Sequence, residues 1–144
     1  METTNPMSSI LILEDCQEDF DTALEALHGI DLPCQVCRAI TGDECLSLLV
    51  DAKTIRPDLV LLDLNTPGID GREVLRTIKT AQGLKSIPVV VLTTSSNPND
   101  LAACYEFGAN AYHLKPVQYP NYLEILELIF KYWLKYVILL SKRS

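Results

Sequence analysis

Residues 59–63 read LVLLD, and the aspartate poses the first chemical question of this chain. Leu59 to Leu62 form a run apolar on both faces, and Asp63 ends it shortly before Pro67, Gly68 and Gly71 break the chain. A buried carboxylate without a partner is costly, so Asp63 requires water, a helix-capping role, a cation or a reaction. Three other apolar runs end on groups that complement it. Ile10 to Leu13 leads into Glu14 and Asp15, Leu92 into Thr93, Thr94 and Ser95, and Leu114 into Lys115. Three converging carboxylates repel one another unless bound protons or a cation relieve them. A hard divalent ion suits them; magnesium takes octahedral oxygen ligands, only one or two carboxylates, and keeps several waters. With a hydroxyl donor and an ammonium group added, the set matches phosphoryl transfer, where charge stabilisers surround three equatorial oxygens. Asp63 is the candidate nucleophile, forming an acyl phosphate. Taken singly, each group has a plainer reading. Asp63 would be a solvated strand end, Glu14 and Asp15 acids at a helix N-terminus, Thr93 a strand residue and Lys115 a surface lysine. The chemical reading holds only if these strand ends share one edge.

The elements that would position them alternate along the chain. Strands are predicted at Ile10–Leu13, Gln35–Ile40, Leu59–Leu62, Val89–Leu92 and Ala111–Leu114. Between them, Phe20, Leu24 and Leu27 recur at helical spacing, with Gly29 closing that helix. Thr41-Gly42-Asp43-Glu44 forms a capping box ahead of Cys45, Leu46, Leu48 and Leu49. Asp70 to Glu73 offers a similar start before Val74, Leu75 and Ile78. Asn97 and Pro98 supply an N-cap and a first-turn proline, and Gly108 ends that helix. A last, long helix starts near Pro120 or Asn121. This alternation predicts an α/β fold: a doubly wound, five-stranded parallel sheet with helices on both faces. Ligands of such sheets sit beyond the carboxyl ends of the strands, where strand order reverses. In the order 2-1-3-4-5, strands one and three are neighbours there, so Glu14, Asp15 and Asp63 converge.

The bulk numbers exclude several function classes. The chain has 144 residues, with 48% hydrophobic and 22% charged residues, as in one soluble globular domain. A net charge of −7 argues against nucleic acid or an anionic membrane as partner. Residues 1–8 are expected to be flexible, with no secretory pattern. Five cysteines within apolar segments fit reduced thiols in a cytoplasm. Cys34 and Cys37 form one C-x-x-C, but no second pair completes a metal site, and on a strand they would point to opposite faces. His28 and His113 have no metal-ligand partner at useful spacing and read as structural.

EDCQED, LVLLDLNTPGIDG, VVVLTTS and AYHLKPV together resemble the receiver domain of two-component response regulators, over roughly residues 9–130. The resemblance implies a flavodoxin-like fold and a phosphoacceptor rather than an enzyme, with at most slow autodephosphorylation. It implies Asp63 as the phosphoacceptor. Asp15, Asp63 and the Asn65 backbone carbonyl would be Mg2+ ligands, with Glu14 acting through a water. Thr93 would be the switch hydroxyl, Lys115 the phosphate-pairing lysine, and Tyr112 the switch aromatic that enters space vacated by the loop. It also implies a cis Lys115–Pro116 bond. One departure is Thr94, where receivers carry a smaller residue, and it bears on the lifetime of the phosphoryl group. A haloacid-type aspartyl phosphatase has a similar site but needs a second aspartate two residues after the nucleophile. Here that position is Asn65, whose amide cannot cycle a proton. A phosphorylation-independent dimeric adaptor is a further alternative.

The last helix reads NYLEILELIFKYWLKYVILL from Asn121. Glu124, Glu127, Lys131 and Lys135 make one narrow polar stripe, and the rest is mostly large and apolar. That is about twice the apolar face a helix needs on a sheet, leaving a patch of the kind that marks an interface. The charges argue against a membrane span. A homodimer is expected through this helix and its extension over residues 131–144, with Phe130, Trp133, Leu134, Val137 and Ile138 contributing. DLNTPGIDGREVLRTIK, IPVVVLTTS and YWLKYVILL more narrowly resemble the phytochrome-associated response regulators, stand-alone receivers phosphorylated by a light-regulated sensor histidine kinase. No DNA-binding output domain is expected, because a helix-turn-helix module would need further residues and a basic face. Output would then pass to a downstream protein or phosphotransfer partner.

Overall fold

The computed structural model describes residues 7–140. Its elements are β1 (Ser8–Leu13), α1 (Gln17–Gly29), β2 (Cys34–Ala39), α2 (Gly42–Val50), β3 (Leu59–Leu62), α3 (Gly71–Thr80), β4 (Val89–Thr93), α4 (Pro98–Glu106), β5 (Ala111–Leu114) and α5 (Tyr119–Lys131). The five strands form one parallel sheet in the order β2-β1-β3-β4-β5. The order is the expected one, with helices on both faces.

Strand periodicity divides the core in two. Ile10, Ile12, Leu59, Leu61, Val90 and Leu92 face one side, under α1 and α5, where they meet Ala26, Leu126 and Phe130. The intervening residues Leu11, Leu13, Val60, Leu62, Val89 and Val91 face the other, where α2, α3 and α4 contribute Cys45, Leu75, Ile78 and Cys104. Side chains alternate across a strand, so the continuous apolar runs of β1, β3 and β4 are what burial on both faces requires. Burial also pushes the Cys45 thiol up to about 12 and the Cys104 thiol up to about 11, so both behave as core residues. Cys34 and Cys37 lie on the edge strand β2.

The helix ends follow local chemistry, with differences. Thr41 accepts from the Glu44 N–H, but Glu44 returns its bond to the Ile40 N–H, one residue earlier than a reciprocal box. Asp70 caps α3 through the Arg72 N–H, while Glu73 turns outward to Arg76. Gly29 is still helical. The left-handed turn after α1 falls on Asp31, with φ 53°, a conformation that aspartate's short polar side chain tolerates.

Three expectations need correction. No peptide bond is cis among the described residues, so Lys115–Pro116 is trans, the form favoured intrinsically for X-Pro bonds. The expected extension of the last helix is present. The helix continues past Lys131 as a π-helical turn over Tyr132–Tyr136, closed by the Val137 N–H donating to the Tyr132 carbonyl at 2.8 Å, and Val137 is extended. Phe130 is fully buried between α5 and the sheet and offers no surface to a partner. Trp133 and Leu134 are half-buried against the same core, whereas Ile138 is 96% exposed. Strand β1 begins at Ser8, inside the segment expected to be flexible. Residues 1–6 of that segment and 141–144 of the expected extension lie outside the described residues. No helix among the described residues is long and apolar enough to cross a membrane.

Candidate functional site

Each strand end is pinned to its neighbour by one backbone bond just where its functional side chain departs. The Glu14 N–H donates to the Ala39 carbonyl at 2.9 Å, Asp63 to Leu13 at 3.2 Å, and Lys115 to Thr93 at 2.8 Å. The sheet ladder therefore continues one residue past β1, β3 and β5, so side chains far apart in sequence meet on its carboxyl edge. Beneath Asp63 the β3–α3 loop is held by glycines. Gly68 has φ +84°, and a Cβ on Gly71 would lie 2.6 Å from the Leu64 Cα.

Lys115 is the centre of the site. Its ammonium donates to Glu14 Oε1 at 2.7 Å, Asp19 Oδ2 at 2.8 Å and Asp63 Oδ2 at 2.9 Å. Burial alone would depress the lysine, but the three carboxylates outweigh it and hold its pKa above the ordinary value. Glu14, also buried, is pushed up by desolvation, against the pull of Lys115 and a bond from the Cys16 N–H. The other Asp63 oxygen, Oδ1, accepts from the Asn65 N–H at 3.1 Å. The Asn65 amide donates to Thr93 Oγ1 at 3.3 Å, and the Ser95 N–H approaches the same oxygen at 3.4 Å. Thr93 is fully buried, while Thr94 is exposed. Tyr112 is half-buried, and its hydroxyl donates to the Ser95 carbonyl at 2.8 Å.

The structure thus brings Glu14, Asp63, Asn65, Thr93 and Lys115 together, with exposed Asp15 alongside and Tyr112 linked through Ser95. Two features were missed in the sequence. Asp19 is the third acceptor of Lys115. Its signal was its place four residues after Asp15, in the first turn of α1 and on the same edge. The second is a polar chain in which Ser95 Oγ donates to Asp100, which pairs with Arg72, which in turn pairs with Asp70. It joins the loop after β4 to α4 and α3, and no local pattern announces it.

Glu14, Asp15 and Asp63 each offer a carboxylate oxygen, all within 4.8 Å of one another. Three carboxylates meet one ammonium and Asp15 adds a fourth beside them, an excess of acidic oxygen that suits a hard divalent cation. The donor set therefore fits such an ion.

The comparisons agree with this fold. The model of the response regulator receiver domain matches residues 10–127. Response regulator Rcp1 of Synechocystis sp. is 37% identical over 142 residues, covering 96% of this chain and 97% of its own. The phosphorylated cyanobacterial phytochrome response regulator RcpA superposes with a TM-score of 0.91 at 38% identity, over 94% of this chain and 100% of that one. The Mn2+-bound form of Rcp1 gives 0.90 at 36% identity, over 93% and 99%. With the family model matching residues 10–127 and relatives matched along nearly their full length, the chain belongs to the response regulator receiver domain family.

Proposed function

We propose that this receiver accepts a phosphoryl group onto Asp63 from the phosphohistidine of a sensor kinase of the phytochrome type. The observation that carries the reading is the buried pairing of Lys115 with Asp63, 2.9 Å apart, beside the carboxylates of Glu14 and Asp15. A carboxylate oxygen of Asp63 attacks phosphorus, the P–N bond breaks, and the imidazole leaves with the bonding electrons and regains a proton. Asp15, Asp63 and the Asn65 carbonyl would hold Mg2+, with Glu14 acting through a water. When bound, the ion would neutralise charge on the transferring phosphoryl oxygens. The Lys115 ammonium, also a cation and already within reach of Asp63, shares that role.

Thr93 is the residue that must change partners. The two bonds it accepts leave its O–H as a donor, which can turn to a phosphoryl oxygen once the Asn65 amide releases it. Ser95 lies two residues on and carries the Tyr112 hydroxyl on its carbonyl, so displacement of the loop reaches β5 through one hydrogen bond. The surface of α4, β5 and α5 then changes by a population shift bounded by the difference in affinity of the two states for the phosphoryl group. We assign the protein to the cytoplasm, with a downstream protein or phosphotransfer partner reading that surface. The net charge of −7 supports protein contact over nucleic acid.

Incubation with a small acyl phosphate and Mg2+ should add one phosphoryl group by intact mass, and Asp63→Asn should abolish it. Labelling that persists in Asp63→Asn identifies a different acceptor. Catalytic turnover of the donor, rather than slow loss of the label, would favour a phosphatase.

A further inference from the structure

An ammonium group has three N–H donors, and Lys115 uses each on a different carboxylate. Two of those acceptors, Glu14 and Asp63, also belong to the cluster suited to a divalent ion, and Asp19 does not. An ion held by Asp63 directly and by Glu14 through a water draws on two of the carboxylates that the ammonium uses. The Lys115 side chain is 8% exposed, so water cannot readily replace acceptors it gives up, and a buried charge stripped of partners is strongly unfavourable. Asp19 projects from the first turn of α1 with its side chain 30% exposed, at the rim of the site.

We propose that Asp19 is a positioning residue that retains the Lys115 ammonium inside the site while a divalent ion engages Glu14 and Asp63, so that the two cations bind together instead of competing. The inference deepens the phosphoacceptor reading, since a retained ammonium stays poised for a phosphoryl oxygen, but its test does not require phosphorylation. With Asp19 present, Lys115 keeps a charge-assisted bond throughout. With an amide in its place, the ammonium holds Glu14 and Asp63 as its only carboxylates and opposes the incoming ion.

The experiment is a Mn2+ titration of unphosphorylated protein, with free Mn2+ read by electron paramagnetic resonance, across a double-mutant cycle of Asp19→Asn and Lys115→Met. Asp19→Asn should weaken Mn2+ binding about fivefold or more when Lys115 is present, a coupling of the size expected for contacting residues. In the Lys115→Met background the loss should shrink to that of Glu18→Gln, which removes an equal charge from the same helix turn. Asp19→Glu, which keeps the carboxylate, should restore much of the affinity. An equal loss in both backgrounds overturns the proposal, because the field of the carboxylate would then suffice, and so does an unchanged affinity in Asp19→Asn. Lys115→Gln provides the second background should Lys115→Met lose its circular dichroism. Wild type that binds Mn2+ but is not labelled at Asp63 sinks the phosphoacceptor reading alone; labelled wild type without the coupling sinks the Asp19 assignment alone.

Discussion

Glu14 shows burial and charge opposing each other at one side chain. Desolvation raises its folded pKa above the ordinary 4.5, despite the bond from Lys115. The folded protein therefore keeps the Glu14 proton over a range just above 4.5 in which the unfolded chain has released it. Stability from this group is complete below that ordinary value and is lost as pH rises through the folded one. Lys115 is shifted upward, so its own contribution is lost only above its ordinary 10.5, well clear of the acid window. In urea unfolding with chelator present, wild type should lose stability relative to Glu14→Gln as pH is raised from 4.5 toward neutrality. Parallel profiles would show that the Glu14 carboxyl is not strained by its burial. The acidic residues of the site were legible because each ends or follows an apolar run. Asp19 was not, because its role comes from a lysine 96 positions away.

At the scale of elements, the strand ends do the positioning and the loops beneath them set how firmly. Gly71 is a close point, since any Cβ there meets both the Leu64 Cα and its carbonyl oxygen, the latter at 2.9 Å. Gly71→Ala should destabilise the fold by about 1–3 kcal/mol, the usual range for overpacking, read as a lower urea midpoint. A neutral result would mean that the β3–α3 loop yields easily. The Arg72–Asp100 pair works differently. It is partly exposed, the Arg72 side chain at 37%, and is worth at most about 1 kcal/mol to global stability. Its effect should instead be local. Arg72→Ala is expected to speed amide hydrogen exchange in residues 95–100 while leaving β3 protected, and uniform exchange changes would contradict that. The sequence patterns located the caps of α2, α3 and α4, since capping depends on three or four adjacent residues. The π-helical turn after α5 escaped them, because the same YWLKY letters suit an ordinary helix.

At the scale of the whole molecule, the question is what covers α5 and its extension. Leu128, Tyr132, Tyr136 and Ile138 are exposed large apolar side chains along this stretch, and a homodimer through it, as expected from the sequence, would bury them beside Trp133, Leu134 and Val137. Leu128→Lys with Tyr132→Lys should leave monomer stability within about 0.5 kcal/mol, as exposed positions do, while shifting the mass seen by light scattering from dimer to monomer. Phe130→Ala should do something else: it should cost about 3–5 kcal/mol of stability, because it empties a filled core position. A wild-type protein that stays monomeric at micromolar concentration removes the dimer from consideration.

The amino-acid order by itself determined the alternation of strands and helices, the burial of β1, β3 and β4 on both faces, and the chemical character of each strand end. These are local properties, carried by periodicity, capping residues and the step from apolar to charged side chains. Only the tertiary structure decided which carboxylates share Lys115, that Tyr112 hangs from Ser95, and that Phe130 belongs to the core rather than the surface. Each of those depends on contacts between residues distant along the chain, and Lys115 lies 101 positions from Glu14. Closing such distances takes the whole parallel sheet, and its crossover connections carry no trace in any short stretch of sequence.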